Sequence, residues 1–149
     1  MRYSHYLGKS KRESRYAAVL LSPGTSPHWF TLGSAKEIEA ALRRYQVLVR
    51  TSSDEDELAA LLQKLYDKVW EPIQGALPER VKTVIISPDG QLNFLSFATL
   101  LDGDKRFVAE KYSIRYVASG RDLLRKFKSR FISLASAFSV RARILITFR

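Results

Sequence analysis

Cysteine is absent from all 149 residues. That excludes disulfides, thiolate metal sites and a cysteine nucleophile in this chain. Histidine is nearly absent: only His5 and His28 occur, and neither has a histidine or acidic partner at metal-ligand spacing. No metal and no cofactor site is expected from such a pattern. Long apolar runs are missing as well. The best candidate, 131–140, contains three serines and falls well short of the roughly 20 residues a spanning helix needs. The opening Met1-Arg2-Tyr3-Ser4-His5-Tyr6 leads into no apolar targeting segment. The expectation is a cytoplasmic protein with no membrane partner.

What the chain does contain is an ordinary globular balance, 46% hydrophobic and 27% charged, in a length suited to one domain. Its net charge of +10 raises the question of nucleic acid. The charge is unevenly placed: residues 121–149 carry eight basic residues against Asp122, while residues 1–120 are close to balanced. The globular part is therefore not a basic surface protein, and nucleic acid is not expected as its partner.

Periodicity organises the rest. Residues 1–15, with Lys9-Ser10-Lys11-Arg12, read as a basic, disordered lead-in. Tyr16 to Leu21 and His28 to Leu32 have strand composition, and the Pro- and Gly-bearing stretch Ser22 to Pro27 joins them as a hairpin. Ser34 and Glu37 stand at capping-box spacing ahead of Ile38, Ala41, Leu42 and Tyr45, which recur at helical period. Ser52 and Glu55 repeat that spacing at the head of an acidic turn, Asp54 to Glu57. Leu58, Leu61, Leu62, Leu65 and Val69 then form an amphipathic stripe. Pro72 ends or kinks this helix. Within Val81 to Ser87, Val84-Ile85-Ile86 is apolar on both faces, as a buried central strand is, and Pro88-Asp89-Gly90 stops it with a turn. Leu101-Asp102-Gly103-Asp104 is another turn, Tyr112 to Val117 alternates as a half-exposed strand, and Ser119 caps a short helix. The class is α/β.

The stretch Val84-Ile85-Ile86-Ser87-Pro88-Asp89-Gly90-Gln91-Leu92-Asn93-Phe94-Leu95-Ser96-Phe97-Ala98 resembles the CHAT family, caspase-like peptidase domains associated with tetratricopeptide repeats. Ser96 stands where that family commonly has proline. The Tyr16 to Gly33 hairpin, Leu65 to Pro72 and Tyr112 to Leu123 resemble the family in the same order, so that the likeness spans about residues 15–126. The resemblance implies a caspase-like sheet with flanking helices. In complete members it implies a cysteine endopeptidase whose histidine and cysteine follow later strands. No catalytic residue carries over to this chain. Residues 16–128 read as the N-terminal part of such a domain. Residues 129–149, with four arginines, four serines and no acid, read as a basic tail outside the family pattern, such as a shift of reading frame appends. An incomplete sheet would leave Val84-Ile85-Ile86 uncovered and the chain dependent on a partner, either the remaining half of the domain or a tetratricopeptide-repeat protein.

Other chemistry-bearing residues have simpler explanations. His28 sits at a hairpin edge with no nucleophile in view, and His5 lies in the lead-in. Asp89 is explained by its turn. Ser87 and Ser96 lack the Gly-x-Ser-x-Gly setting of an activated serine, and Ser119-Gly120-Arg121-Asp122 has too little glycine to cradle phosphate. The sequence thus points to a CHAT-like domain that is no enzyme as it stands, without catalytic, cofactor or metal residues. A small basic nucleic-acid or adaptor-type binding module is the alternative.

Overall fold

A computed structural model describes residues 2–6, 12–22, 25–51, 54–118 and 143–148, and among these described residues are six strands and four α-helices. In chain order the strands are β1 (Arg2–Tyr6), β2 (Arg12–Leu21), β3 (His28–Ser34), β4 (Thr83–Ser87), β5 (Ser113–Tyr116) and β6 (Arg143–Phe148). The helices are α1 (Ala35–Thr51), α2 (Glu55–Val69), α3 (Glu71–Gln74) and α4 (Val108–Lys111). The class is α/β, as the periodicities indicate.

One sheet holds the six described strands. β2 pairs antiparallel with β3 along one edge, and along the other it pairs with β1 through Arg12 to Tyr16 and with β6 through Ala18 to Leu21. β6 and β5 flank β4, both parallel to it. From one edge to the other the order is β3, β2, β6, β4, β5, with β1 continuing the line of β6.

The hairpin and the amphipathic stripes form as their sequences dictate. Ile38, Ala41, Leu42 and Tyr45 of α1 are all buried, as are Leu62, Leu65 and Val69 of α2, while Leu58 and Leu61 are half-buried at the margin. Pro72 falls in the first turn of α3, after Trp70 has broken the run of α2. Trp70 is fully buried, with Phe97 and Tyr112 against its ring at centroid distances of 6.4 and 5.7 Å. Its indole N–H donates to Gln74 Oε1 at 2.8 Å.

Four expectations need correction. The N-cap of α2 is Asp54, not Ser52: Asp54 is extended, and its carboxylate accepts from the Glu57 N–H at 2.9 Å. The spacing of three is right, but the frame starts two residues later, and Ser52 itself lies outside the described residues. The lead-in contains a strand, since β1 pairs with β2, which starts at Arg12 rather than Tyr16. After Lys128 a further buried strand does exist: β6 runs through the end of the tail, and Ile146 and Phe148 are fully buried. In consequence β4 is not left without neighbours: β6 and β5 occupy its two edges and Val84 and Ile86 are fully buried, while Ile85, on the other face, is half-buried. A branched-apolar stretch as short as Ile144-Leu145-Ile146 has no helical period to betray it, and only pairing on both sides makes it a central strand.

Candidate functional site

In open α/β sheets, ligands bind outside the carboxyl ends of the parallel strands. Here that edge is formed by Ser87 at the end of β4, Val117 and Ala118 after β5, and Phe148 at the end of β6. The hydroxyl of Ser87 is buried and donates to the Ala118 carbonyl at 3.4 Å, and the Val117 N–H donates to the Ile86 carbonyl at 2.9 Å. Among the described residues no side chain accepts the Ser87 proton in the hydrogen bond by which a base activates a serine nucleophile.

Asp89 follows β4 and serves the turn that the sequence assigns to it. Its Oδ1 accepts from the Gly90 N–H at 2.8 Å and its carbonyl from the Leu92 N–H at 3.2 Å, opening a single-turn helix through Phe94. Asn93 Nδ2 closes the same turn by donating to the Gly90 carbonyl at 3.0 Å. Gly90 has φ +58°, and a Cβ placed there would stand 3.0 Å from the hydroxyl of Tyr16. That hydroxyl donates to Glu39 Oε1 of α1 at 3.2 Å. The post-β4 loop is thus fitted against β2 and α1. Tyr116 closes the other flank: its hydroxyl accepts from the Phe97 N–H at 2.8 Å, and burial pushes its phenol above the ordinary value.

His28 opens β3, and β2 and β6 lie between it and β4. The backbone of His5 pairs with that of Glu13 in the β1–β2 ladder. The structure therefore brings neither histidine strand next to β4. Ser119 to Asp122, read as a helix cap, lie outside the described residues. Among the described residues, no group of three or more His, Asp or Glu side chains gathers to hold a metal ion.

A concavity lies at the opposite, amino edge. A cleft of about 410 Å³ opens where Lys82 enters β4 and Tyr112 enters β5, walled by Tyr66 of α2, Gln74 of α3 and the Asp102 to Lys111 segment. Its charges are largely consumed internally. Arg106 is held by Asp102 at 3.1 Å and Asp104 at 2.6 Å, and Glu110 Oε1 accepts from the Phe107 N–H at 2.7 Å. The backbone N–H of Arg106 is the main reason the Asp102 carboxyl stays below its ordinary range. Tyr66 donates to Gln74 Oε1 at 3.0 Å, and burial, aided by the charge of Asp102, pushes its phenol upward. A phenol so placed keeps its proton at neutral pH and is no general base. The Asp102 turn was legible in the residue pattern but the cleft was not, because its walls come from segments up to 46 residues apart, Tyr66 to Tyr112.

The acidic turn at the head of α2 does more than meet solvent. Glu57 receives Arg44 of α1 through two hydrogen bonds, 2.6 Å from Nε and 2.5 Å from a terminal nitrogen, while Glu37 of α1 receives Lys68 at 2.7 Å. These hydrogen bonds hold both carboxyls below their ordinary value.

The family model for the CHAT domain matches residues 59–140, more than half of the chain. The chain belongs to the CHAT domain family. The CHAT match begins within α2 and takes in α3, β4, α4 and β5, and thereby the amino-edge cleft and Ser87, Val117 and Ala118 of the carboxyl edge, but not Phe148 of β6. It starts later than the likeness at residue 15 and runs past residue 126 to Val140, so residues 129–140 of the basic tail fall within the CHAT span. Comparison with curated proteins and with solved structures gave no match.

Proposed function

We propose that this chain is a CHAT domain of caspase-like architecture that does not hydrolyse peptide bonds by itself. The observation that carries the reading is the residue inventory. Thiol proteolysis needs a thiolate and an imidazole in mutual reach, yet the chain has no cysteine, and its last histidine is His28, far ahead of β4 in sequence. The hydroxyl at the carboxyl edge, Ser87, is engaged with a backbone carbonyl. Its partner in this reading is another chain, either the remaining half of such a domain or a tetratricopeptide-repeat protein, and the role is that of a docking module.

The purified chain is expected to leave fluorogenic peptides and an unfolded protein substrate intact over a day. Turnover that co-elutes with the chain at constant specific activity through two orthogonal columns, and persists with inhibitors of common contaminating proteases, would falsify the proposal. Sequencing the neighbouring DNA tests the second half: reading frames encoding a histidine- and cysteine-bearing CHAT segment or tetratricopeptide repeats are expected beside it, and their absence removes the proposed partners.

A further inference from the structure

Among the described residues, the two faces of the sheet are unequally covered. Ala18, Leu20, Val84, Ile86, Ile146 and Phe148 point to one face and are buried beneath α1, α2, α3 and the β4–β5 connection. The alternate residues share the other face by register: Val19 lies opposite Trp29 and Thr147, and Leu21 and Ile85 lie on either side of Leu145. On that face Val19, Ile85 and Leu145 are half-buried, Leu21 is 37% exposed and Trp29 62% exposed. A sheet whose central strands are parallel normally has both faces covered.

Chain direction says what belongs there. Crossovers between parallel strands of one sheet are right-handed, so reversing the direction of travel across the sheet moves the connection to the opposite face. β3, β6, β4 and β5 all run the same way. The β3-to-β4 and β4-to-β5 connections travel in the same direction and lie on the same face, as the rule requires. The β5-to-β6 connection travels back past β4. It spans residues 117–142, ample for a covering crossover, which needs about a dozen. Within it Leu124, Phe127, Phe131, Leu134, Ala135 and Phe138 recur at i, i+3, i+7, i+10, i+11 and i+14, the stripe of an amphipathic helix.

We propose that the face bearing Val19, Leu21, Trp29, Ile85 and Leu145 is the docking surface for this chain's own β5-to-β6 connection, seated through that apolar stripe. The cysteine-free sequence gives a clean background for the test. L21C is combined in turn with L124C, F127C, F131C and F138C in the full chain, then oxidised. At least one pair is expected to form an intramolecular disulfide at monomer mass, while V49C, on the exposed side of α1, forms none with the same positions. Disulfide-linked dimers of the L21C single variant in place of intramolecular bonds would mean that a second copy covers the face. Cross-links through V49C, or none from any L21C pair, would overturn the proposal equally. Thiol labelling of the L21C single variant guards against a misfolded double variant. It is expected to be slow, and to accelerate roughly tenfold or more when F131D is added; an unchanged rate would sink the idea.

Discussion

At the scale of the residue, Gly90 shows how a turn becomes a tertiary contact. Pro88-Asp89-Gly90 announces a turn in the sequence, and the local requirement is met by φ +58° at Gly90 and by the carboxylate of Asp89. The second requirement comes from elsewhere in the chain: the hydroxyl of Tyr16 leaves no comfortable room for a Cβ. Gly90→Ala is expected to cost about 1–2 kcal/mol for the left-handed backbone, plus the displacement of Tyr16. Urea denaturation of Gly90→Ala in the wild-type and Tyr16→Phe backgrounds separates the two. A smaller loss in the Tyr16→Phe background is expected, because the nearest atom is the hydroxyl oxygen; equal losses would leave the backbone alone responsible.

Among elements, α1 and α2 illustrate which signals survive folding. The stripes of Ile38, Leu42 and Tyr45, and of Leu62, Leu65 and Val69, were legible because burial on a helix repeats at its own period. The cap of α2 was legible in kind but not in frame, since Ser52, Ser53 and Asp54 all suit that position and only the backbone decides among them. Asp54→Ala is therefore expected to cost about 1 kcal/mol, measurable as a shift in urea midpoint, while Ser52→Ala leaves the midpoint nearly unchanged. The pairing of Glu57 with Arg44 was invisible in sequence, where thirteen positions separate them. A carboxyl held below its ordinary value binds fewer protons in the folded state than in the unfolded one. Its contribution is therefore complete above the ordinary glutamate range and is lost as the pH falls through the lowered folded value. A Glu57→Gln, Glu37→Gln double variant is expected to show a shallower decline of melting temperature on acidification than the parent, with little difference in its slope near neutrality. An unaltered acid limb would mean that these exposed pairs contribute nothing measurable.

For the whole molecule the deciding element is β6. Read alone, Ile144-Leu145-Ile146-Thr147-Phe148 is a short apolar run at the end of a basic stretch. In the fold it joins the β2–β3 hairpin to the β4–β5 pair, and without it the sheet falls into two halves. Ile146→Ala is expected to cost about 2–5 kcal/mol, as a core truncation does, and deletion of 143–149 is expected to abolish the cooperative thermal transition. A tail irrelevant to the fold would leave both measurements at parental values.

The sequence by itself determined the α/β class, the two stripes, the buried strand Val84 to Ile86, the CHAT likeness and the lack of a thiol. Each of these is a property of residue type or of local period, and needs no knowledge of neighbours. The order of strands, the place of β6 between β2 and β4, the cleft at the amino edge and the burial of one sheet face beneath α1, α2 and α3 were decided only by tertiary structure. Pairing joins residues far apart in the chain, such as Leu21 with Leu145, and no local signal records which distant edge a strand will meet.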